Sequence, residues 1–560
     1  MKNKKYIVYL VVSILVLTIG VSYAYFKARV NGEGKSISLR SKGIYVLYSG
    51  DATLASENIS PGWSVTKEFT VENQGSNNEV YNIYIEGLVN TFVTSGYLQY
   101  KITSSNGYNM SEYKDIPKSN TSTDTVLAYS VPIKSKEKQK YKVELIYKET
   151  EEDQSVDMGK ILSGILGIQV GTKDPNILSL KDAMLRDNPT IKERTDFSVT
   201  NTETTTGTLY KTNKTEDGSD VYYYSGNTTN NWVKFGKYQG DSISYRGYYS
   251  STNLKFKEYS TIDKCTSATS YNTNCSEYKY ASVGDDIYWR IIRTNEDGSV
   301  RLIYSGTSPD TTTAYISVSS YNIANSHSMH VGYMYGTFES LTKNRTNNND
   351  STIKAKIDTW YQNNLLTNYD KYISKTAIYC NDRSVGAGTY VTIGSKIFYY
   401  GGYMRIKTGR APSYKCGANT SNGLFESTQA IEDKFSASTE GGGNGQLKYP
   451  IALMTGDEVA FAGGRSSRPL ESPYAWYYTN SVNDSITGTN SWWVLTPYSY
   501  DSASYVYSVG DSSDLGNILG SHVYNFHAIR PVISISECAK VTGTGTPTDP
   551  YVIDTNASRC

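Results

Sequence analysis

Histidine is nearly missing from this 560-residue chain, which holds four, none of them in residues 1–172. The usual imidazole ligand of a zinc site is therefore absent from the N-terminal third. There is no HExxH and no G-x-S-x-G, and no two of the six cysteines stand as C-x-x-C, so the local signatures of zincins, hydrolase elbows and zinc ribbons are all lacking. Runs of basic residues are also scarce. Lys+Arg number 55 against 54 Asp+Glu, net charge +1, and beyond Lys2, Lys4 and Lys5 no basic cluster offers the stripe that counterion release from a polyanion requires. That argues against a nucleic-acid partner. Phenylalanine is scarce too, 12 residues against 52 tyrosines. Tyrosine joins a flat apolar body to a polar tip, which suits half-buried strands and binding surfaces alike.

What is present points outward from the cell. Tyr6 to Phe26 is uncharged and as a helix would be roughly 31 Å long, about the thickness of a bilayer's hydrocarbon layer. Lysines precede it, so the positive-inside rule keeps them cytoplasmic and exports everything after Lys27. The same stretch reads as a signal peptide with Ser22-Tyr-Ala24 as its cleavage site. Either way the expected location is the extracellular face of the membrane or the medium, with the membrane itself a partner through residues 6–26 where the segment is retained. Cys265, Cys275, Cys380, Cys416, Cys538 and Cys560 are an even set in an exported chain, which favours disulfides. Fifteen pairings are possible on paper. The expected one joins sequence neighbours, Cys265 with Cys275, Cys380 with Cys416 and Cys538 with Cys560, and closing the shortest loop would contribute roughly 2–3 kcal/mol.

The length exceeds one core, and the pattern divides as 1–27 export segment, 28–172 β-sandwich, 173–220 helix and polar connector, and 221–560 a second domain. In the first, eight short strands are expected, at Ile37–Leu39, Ile44–Tyr48, Ser64–Val71, Val80–Ile85, Leu98–Ile102, Thr125–Val131, Lys140–Tyr147 and Ile161–Val170. Gly20-Val-Ser-Tyr-Ala-Tyr-Phe26, the Ile59-Ser-Pro-Gly62 turn leading into Phe69-Thr-Val-Glu-Asn73, and Tyr141-Lys-Val-Glu-Leu-Ile-Tyr147 resemble the TasA/camelysin group of secreted Gram-positive proteins. The resemblance implies a jelly-roll-like antiparallel sandwich used in matrix fibres or at the cell surface. Some members are described as metallopeptidases, but with no histidine in residues 1–172 that activity is not carried over.

Asn176 to Asp187 has helical spacing, and the Thr-, Asn- and Asp-rich stretch Thr195 to Asp220 reads as a connector. The second domain is expected to be α+β. Its plainest element is a hairpin, Ile287–Arg293 and Val300–Tyr304 about an Asn295-Glu-Asp-Gly298 turn. A helix follows at Ser351–Leu366, with Ser351 as cap and Ile353, Ile357, Trp360 and Tyr361 on one face. Ser491-Trp-Trp-Val-Leu-Thr-Pro497 and Ala528-Ile-Arg-Pro-Val532 resemble the "Trp-Trp … Arg-Pro-Val" domains of unknown function on bacterial surface proteins, which are similar in turn to C-type-lectin and formylglycine-generating-enzyme folds.

No residue set points to catalysis, a cofactor or a metal. Asp457 and Glu458 are adjacent and so diverge in either regular structure; as acids behind Thr455 they read as the capped start of a short helix. His327 and His330 lack further ligands. Arg530 is expected to bond loop carbonyls or an ion partner. Oxidase chemistry of the formylglycine-generating kind needs a reactive cysteine pair, whereas Cys380 and Cys416 read as a loop closure. The leading expectation is a non-catalytic surface binding or adhesion protein for a glycan or protein ligand; a matrix or fibre subunit and an extracellular enzyme are the alternatives. Its binding face is expected on Trp476, Tyr477, Tyr478 and Trp492, in the long aromatic-bearing segment Tyr474 to Trp493.

Overall fold

The computed structural model describes residues 44–49, 52–54, 59–170, 178–251, 255–417, 432–441, 443, 445–554, 558 and 560. The expected strand Ile37–Leu39 and the apolar segment 6–26 lie outside them. No helix among the described residues is long and apolar enough to cross a membrane. The chain divides into one unit ending at Asn176 and another spanning Ile177–Cys560. Both are mainly β.

In the first unit, five strands pair in the order Ile44–Tyr48, Ser64–Asn73, Lys138–Tyr147, Leu98–Ser104 and Lys114–Asp115. Three more pair as Ser119–Ile133, Glu79–Asn90 and Leu162–Val170. Period-two alternation explains which face is buried. Tyr141, Val143, Leu145 and Tyr147 point inward while Lys140 and Lys142 stay exposed, and Phe69 sits opposite Tyr141 with the rings stacked at 5.1 Å. One apolar core draws on both sheets, through Val71 and Val143 of the larger and Ile83, Ile85 and Ile168 of the smaller.

The second unit is organised about the expected hairpin, Asp286–Thr294 with Val300–Tyr304. Trp289 faces Tyr304 and Ile291 faces Leu302 across it, all buried. Gly298, at φ +80°, closes the turn by donating to the Asn295 carbonyl at 3.1 Å. A lone hairpin cannot cover such residues. Here it gains Trp232–Lys237 and Val221–Tyr223 on one arm and Pro531–Ile535 on the other, within an eleven-stranded sheet. A seven-stranded sheet centres on Trp492–Tyr500, and a three-stranded one, Phe256–Tyr259, Ser242–Tyr248 and Thr273–Ala281, carries Cys275, whose partner Cys265 lies in the short helix Ile262–Thr266.

The connector expectation for 173–220 is corrected. The helix is there, Leu180–Asp187, capped by Ser179, but Thr190–Glu193 and Thr208–Thr212 are strands of the large sheet, so this stretch belongs to the second unit rather than linking to it. Threonine suits strands, and Phe197, Leu209 and Tyr210 supply enough apolar area to bury the segment's inner face. The second helix runs Thr352–Asn364, with Ser351 accepting from the Lys354 amide and Ile353, Ile357, Trp360 and Tyr361 buried. Thr455 and Glu458 form a reciprocal capping box on Gly456–Phe461. The disulfides join Cys265 to Cys275, Cys380 to Cys416 and Cys538 to Cys560, the neighbour pairing expected, and such bonds belong to an oxidising compartment.

Candidate functional site

The four aromatic residues expected to form a binding face are interior. Trp476 and Tyr477 are 0% exposed, Trp492 1% and Tyr478 4%. The chain supplies their polar partners: Trp476 Nε1 donates to the Tyr224 carbonyl at 3.1 Å and Tyr477 Oη to the Gly516 carbonyl at 2.8 Å. Guanidiniums already occupy the flat faces, Arg290 5.6 Å from the Trp476 ring and Arg530 4.8 Å from Trp492. Arg530 bonds the Tyr304 and Tyr477 carbonyls, the internal role expected of it. The residues are together, but they pack a core instead of meeting a ligand.

An open groove of about 1080 Å³ lies elsewhere on the second unit, between the three-stranded sheet and the segments 489–491, 511–513 and 524–527. Its aromatic rings are Tyr271, Tyr524, Phe526 and the buried Phe256. Tyr271 stands on the short loop closed by Cys265–Cys275 and has φ +56°, a left-handed conformation a tyrosine rarely adopts. The local contacts hold it. Tyr259 Oη donates to the Ser270 and Tyr271 carbonyls at 3.0 and 3.2 Å, and a Cβ on Gly247 would collide with the Tyr271 carbonyl, so this strand position admits only glycine. Tyr271 then meets Tyr249 at 5.5 Å and Phe526 at 5.9 Å, each ring tilted against it. Tyr524 is 44% exposed, Tyr271 and Phe526 are half-buried, and Tyr249, beside the groove, is 63% exposed.

The polar part of the groove is close to neutral. Ser512, Ser513, Thr489, Asn490 and Asn525 contribute hydroxyls and amides, with Asp511 and Lys255 as opposite charges. At the base, His527 bonds Ser491 Oγ through Nδ1 and Ser521 Oγ through Nε2 (2.6 Å), and burial pushes its pKa down to about 4. Among the described residues no carboxylate bonds this ring, so nothing orients it as the base of a triad. This neutral, aromatic concavity can hold an uncharged polyhydroxyl ligand by ring stacking and hydrogen bonds. Sequence reading missed it because its parts lie some 250 positions apart; the available clue was a lone tyrosine inside a ten-residue disulfide loop.

The other histidine pair is structural. His330 is 5% exposed in the turn Ser328–Val331 and accepts from the His327 amide, and burial, reinforced by His327, pushes its pKa down to about 4. Among the described residues no group of three or more His, Cys, Asp or Glu is placed to hold a metal. Unfolded, the imidazole titrates near 6.5, so this contribution to stability is complete above that pH and is lost as pH falls towards 4. Urea unfolding at pH 7 and pH 5 should show about 2 kcal/mol more loss for the parent than for His330→Leu, each measured against its own pH 7 value. Equal losses would show that His330 is protonated in the native state.

No family profile matches the chain, and no curated protein matches its sequence. Among solved structures it is similar to one described as "AvmM Catalyzes Macrocyclization in Alchivemycin A Biosynthesis", at 10% identity and a TM-score of 0.14, over 21% of this chain and 73% of the other. At that TM-score the likeness carries no functional argument.

Proposed function

We propose that this chain is an exported, non-catalytic surface protein that binds a glycan in the Tyr271–Tyr524–Phe526 groove. The observation carrying the reading is that an exposed ring, Tyr524, two half-buried ones, Tyr271 and Phe526, and neutral hydroxyl and amide groups share one concavity, the combination that suits the apolar C–H faces and hydroxyl edges of a sugar ring. The three disulfides support an extracellular setting. In this reading the two sheets of the first unit are the faces of a jelly-roll-like sandwich that displays the second unit. The second unit is C-type-lectin-like; the pairing of Pro531–Ile535, late in the chain, with the early arm Val300–Tyr304 supports that assignment. The test is a glycan array probed with the purified ectodomain and with its Tyr271→Ala and Tyr524→Ala variants. The expected result is retention on a defined glycan set, at least tenfold weaker for each variant, with an unchanged thermal midpoint. No retention, or retention that ignores both substitutions, would refute the proposal.

A further inference from the structure

A second, more enclosed cavity of about 230 Å³ lies at the turn end of the hairpin, and none of its lining residues belongs to the groove. Its inner wall is a set of buried ion pairs. Glu458 accepts from Arg293 Nε at 3.0 Å and Arg301 Nη1 at 2.8 Å, while Arg405 joins Asp457 at 3.0 Å and Asp382 at 2.6 Å. Three guanidiniums thus meet three carboxylates, and this inner wall is balanced.

The rest of the lining is not. Glu216, Asp217, Glu296, Asp297 and Glu440 are five further carboxylates on the same cavity. Lys434 pairs with Glu216 at 2.8 Å, and Arg293, already engaged by Glu458, reaches Glu296 at 3.6 Å. A negative surplus therefore remains. Asp297 holds its charge: burial would raise its pKa, but hydroxyl donors from Ser299, Ser374 and Thr376 bring it below the usual carboxylate value.

Acidity alone would be a solvated rim. The independent observation is that the wall also carries buried polar atoms with no partner: Asn295 Oδ1, Tyr414 Oη and Arg301 Nε, on residues 5%, 7% and 1% exposed. The orientation of the Asn295 amide follows from its neighbours. Ser299 Oγ donates to Asp297, so it accepts from Asn295 Nδ2, and Ser534 Oγ takes the second N–H at 3.1 Å, which leaves the oxygen as the open acceptor. An unmet buried acceptor is costly unless water or a ligand supplies the donor, and a ligand that supplies it together with positive charge answers the acidic lining as well. Asn295 Oδ1 awaits an N–H donor, Tyr414 Oη can accept one or donate its own proton to a ligand oxygen, the carboxylates await positive charge, and Arg301 Nε awaits one acceptor atom.

We propose that this cavity binds a small organic cation bearing N–H donors, an alkylammonium or guanidinium group, with a carbonyl or hydroxyl oxygen for Arg301 Nε. The site does not depend on the glycan reading of the groove. The test is isothermal titration of the full chain with L-argininamide, putrescine, N-acetylglycinate and calcium chloride. L-Argininamide is expected to bind one to one and more tightly than putrescine, which lacks the oxygen. Its affinity should fall with added salt, because the attraction is between charges within reach of screening. Glu296→Gln with Glu440→Gln keeps the shape and the acceptors while removing two charges, and is expected to weaken binding at least tenfold with an unchanged thermal midpoint. Acetyl-Ala-Arg-Ala-amide distinguishes the source: tighter binding than argininamide assigns the site to an arginine side chain of a partner protein, and weaker binding to a free amine. Preference for N-acetylglycinate or calcium, or affinity unmoved by the double substitution, would overturn the proposal.

Discussion

Replacing Glu458 by alanine should lower the free energy of unfolding by about 3–5 kcal/mol, because it strands two buried guanidiniums at once. Glu458 is 1% exposed; Arg293 and Arg301 are 4% and 1% exposed. The substitution also removes one half of the capping box on Gly456–Phe461. Burial pushes the Glu458 pKa up, but Arg301 and Arg293 more than offset it and hold the carboxyl below its ordinary value. Its stabilisation is therefore complete above the unfolded carboxyl's pKa and is lost as pH falls through the lower native one. Glu458→Gln, which keeps the cap acceptor without the charge, should fall between parent and alanine variant. Chemical denaturation at pH 7 measures both. A loss under 1 kcal/mol for Glu458→Ala would mean that water already solvates these arginines.

Trp476→Ala should be comparably severe, about 3–5 kcal/mol, as expected for deleting a fully buried indole. Three things go together: the packed volume, the bond from Nε1 to the Tyr224 carbonyl, and the ring face against Arg290. Tyr524→Ala, at a 44% exposed position, should stay within about 0.5 kcal/mol of the parent. The contrast separates core from binding face. If Trp476→Ala left the thermal transition in place, the buried assignment of the segment Tyr474 to Trp493 would be wrong.

Much of the architecture is legible in the chain because its determinants are local. Period-two alternation marks Lys138–Tyr147, a Gly-ended turn marks the hairpin at Gly298, and Ser351 and Thr455 mark helix starts within three residues of the amides they cap. The cysteine pairing is legible for the same reason, since each partner is the next in sequence. What escaped depends on contacts between distant residues. Arg293 and Glu458 are 165 positions apart, and nothing near either shows that the charge will be buried and matched. Thr208–Thr212 looked like linker because the stretch Thr195 to Asp220 is polar in composition, yet a strand is secured there by backbone pairing with Thr190–Glu193 and Val221–Tyr223. Trp476 and Trp492 looked available because polar residues surround them in sequence, whereas Arg290 and Arg530, from other strands and loops, cover them in space. Tyr271 had only its place in a short cysteine loop to mark it, and its half-buried position follows from that loop and the close approach that Gly247 permits.

The proposed glycan site is the groove of the second unit, and not the Trp476–Trp492 core. A crystal structure of the full ectodomain with the tightest glycan from the array tests it most directly. The expected result is a sugar ring lying against Tyr271, Tyr524 or Phe526, with its hydroxyls on the groove's serines and asparagines. A glycan bound at any other surface, touching none of these three rings, would contradict the proposal.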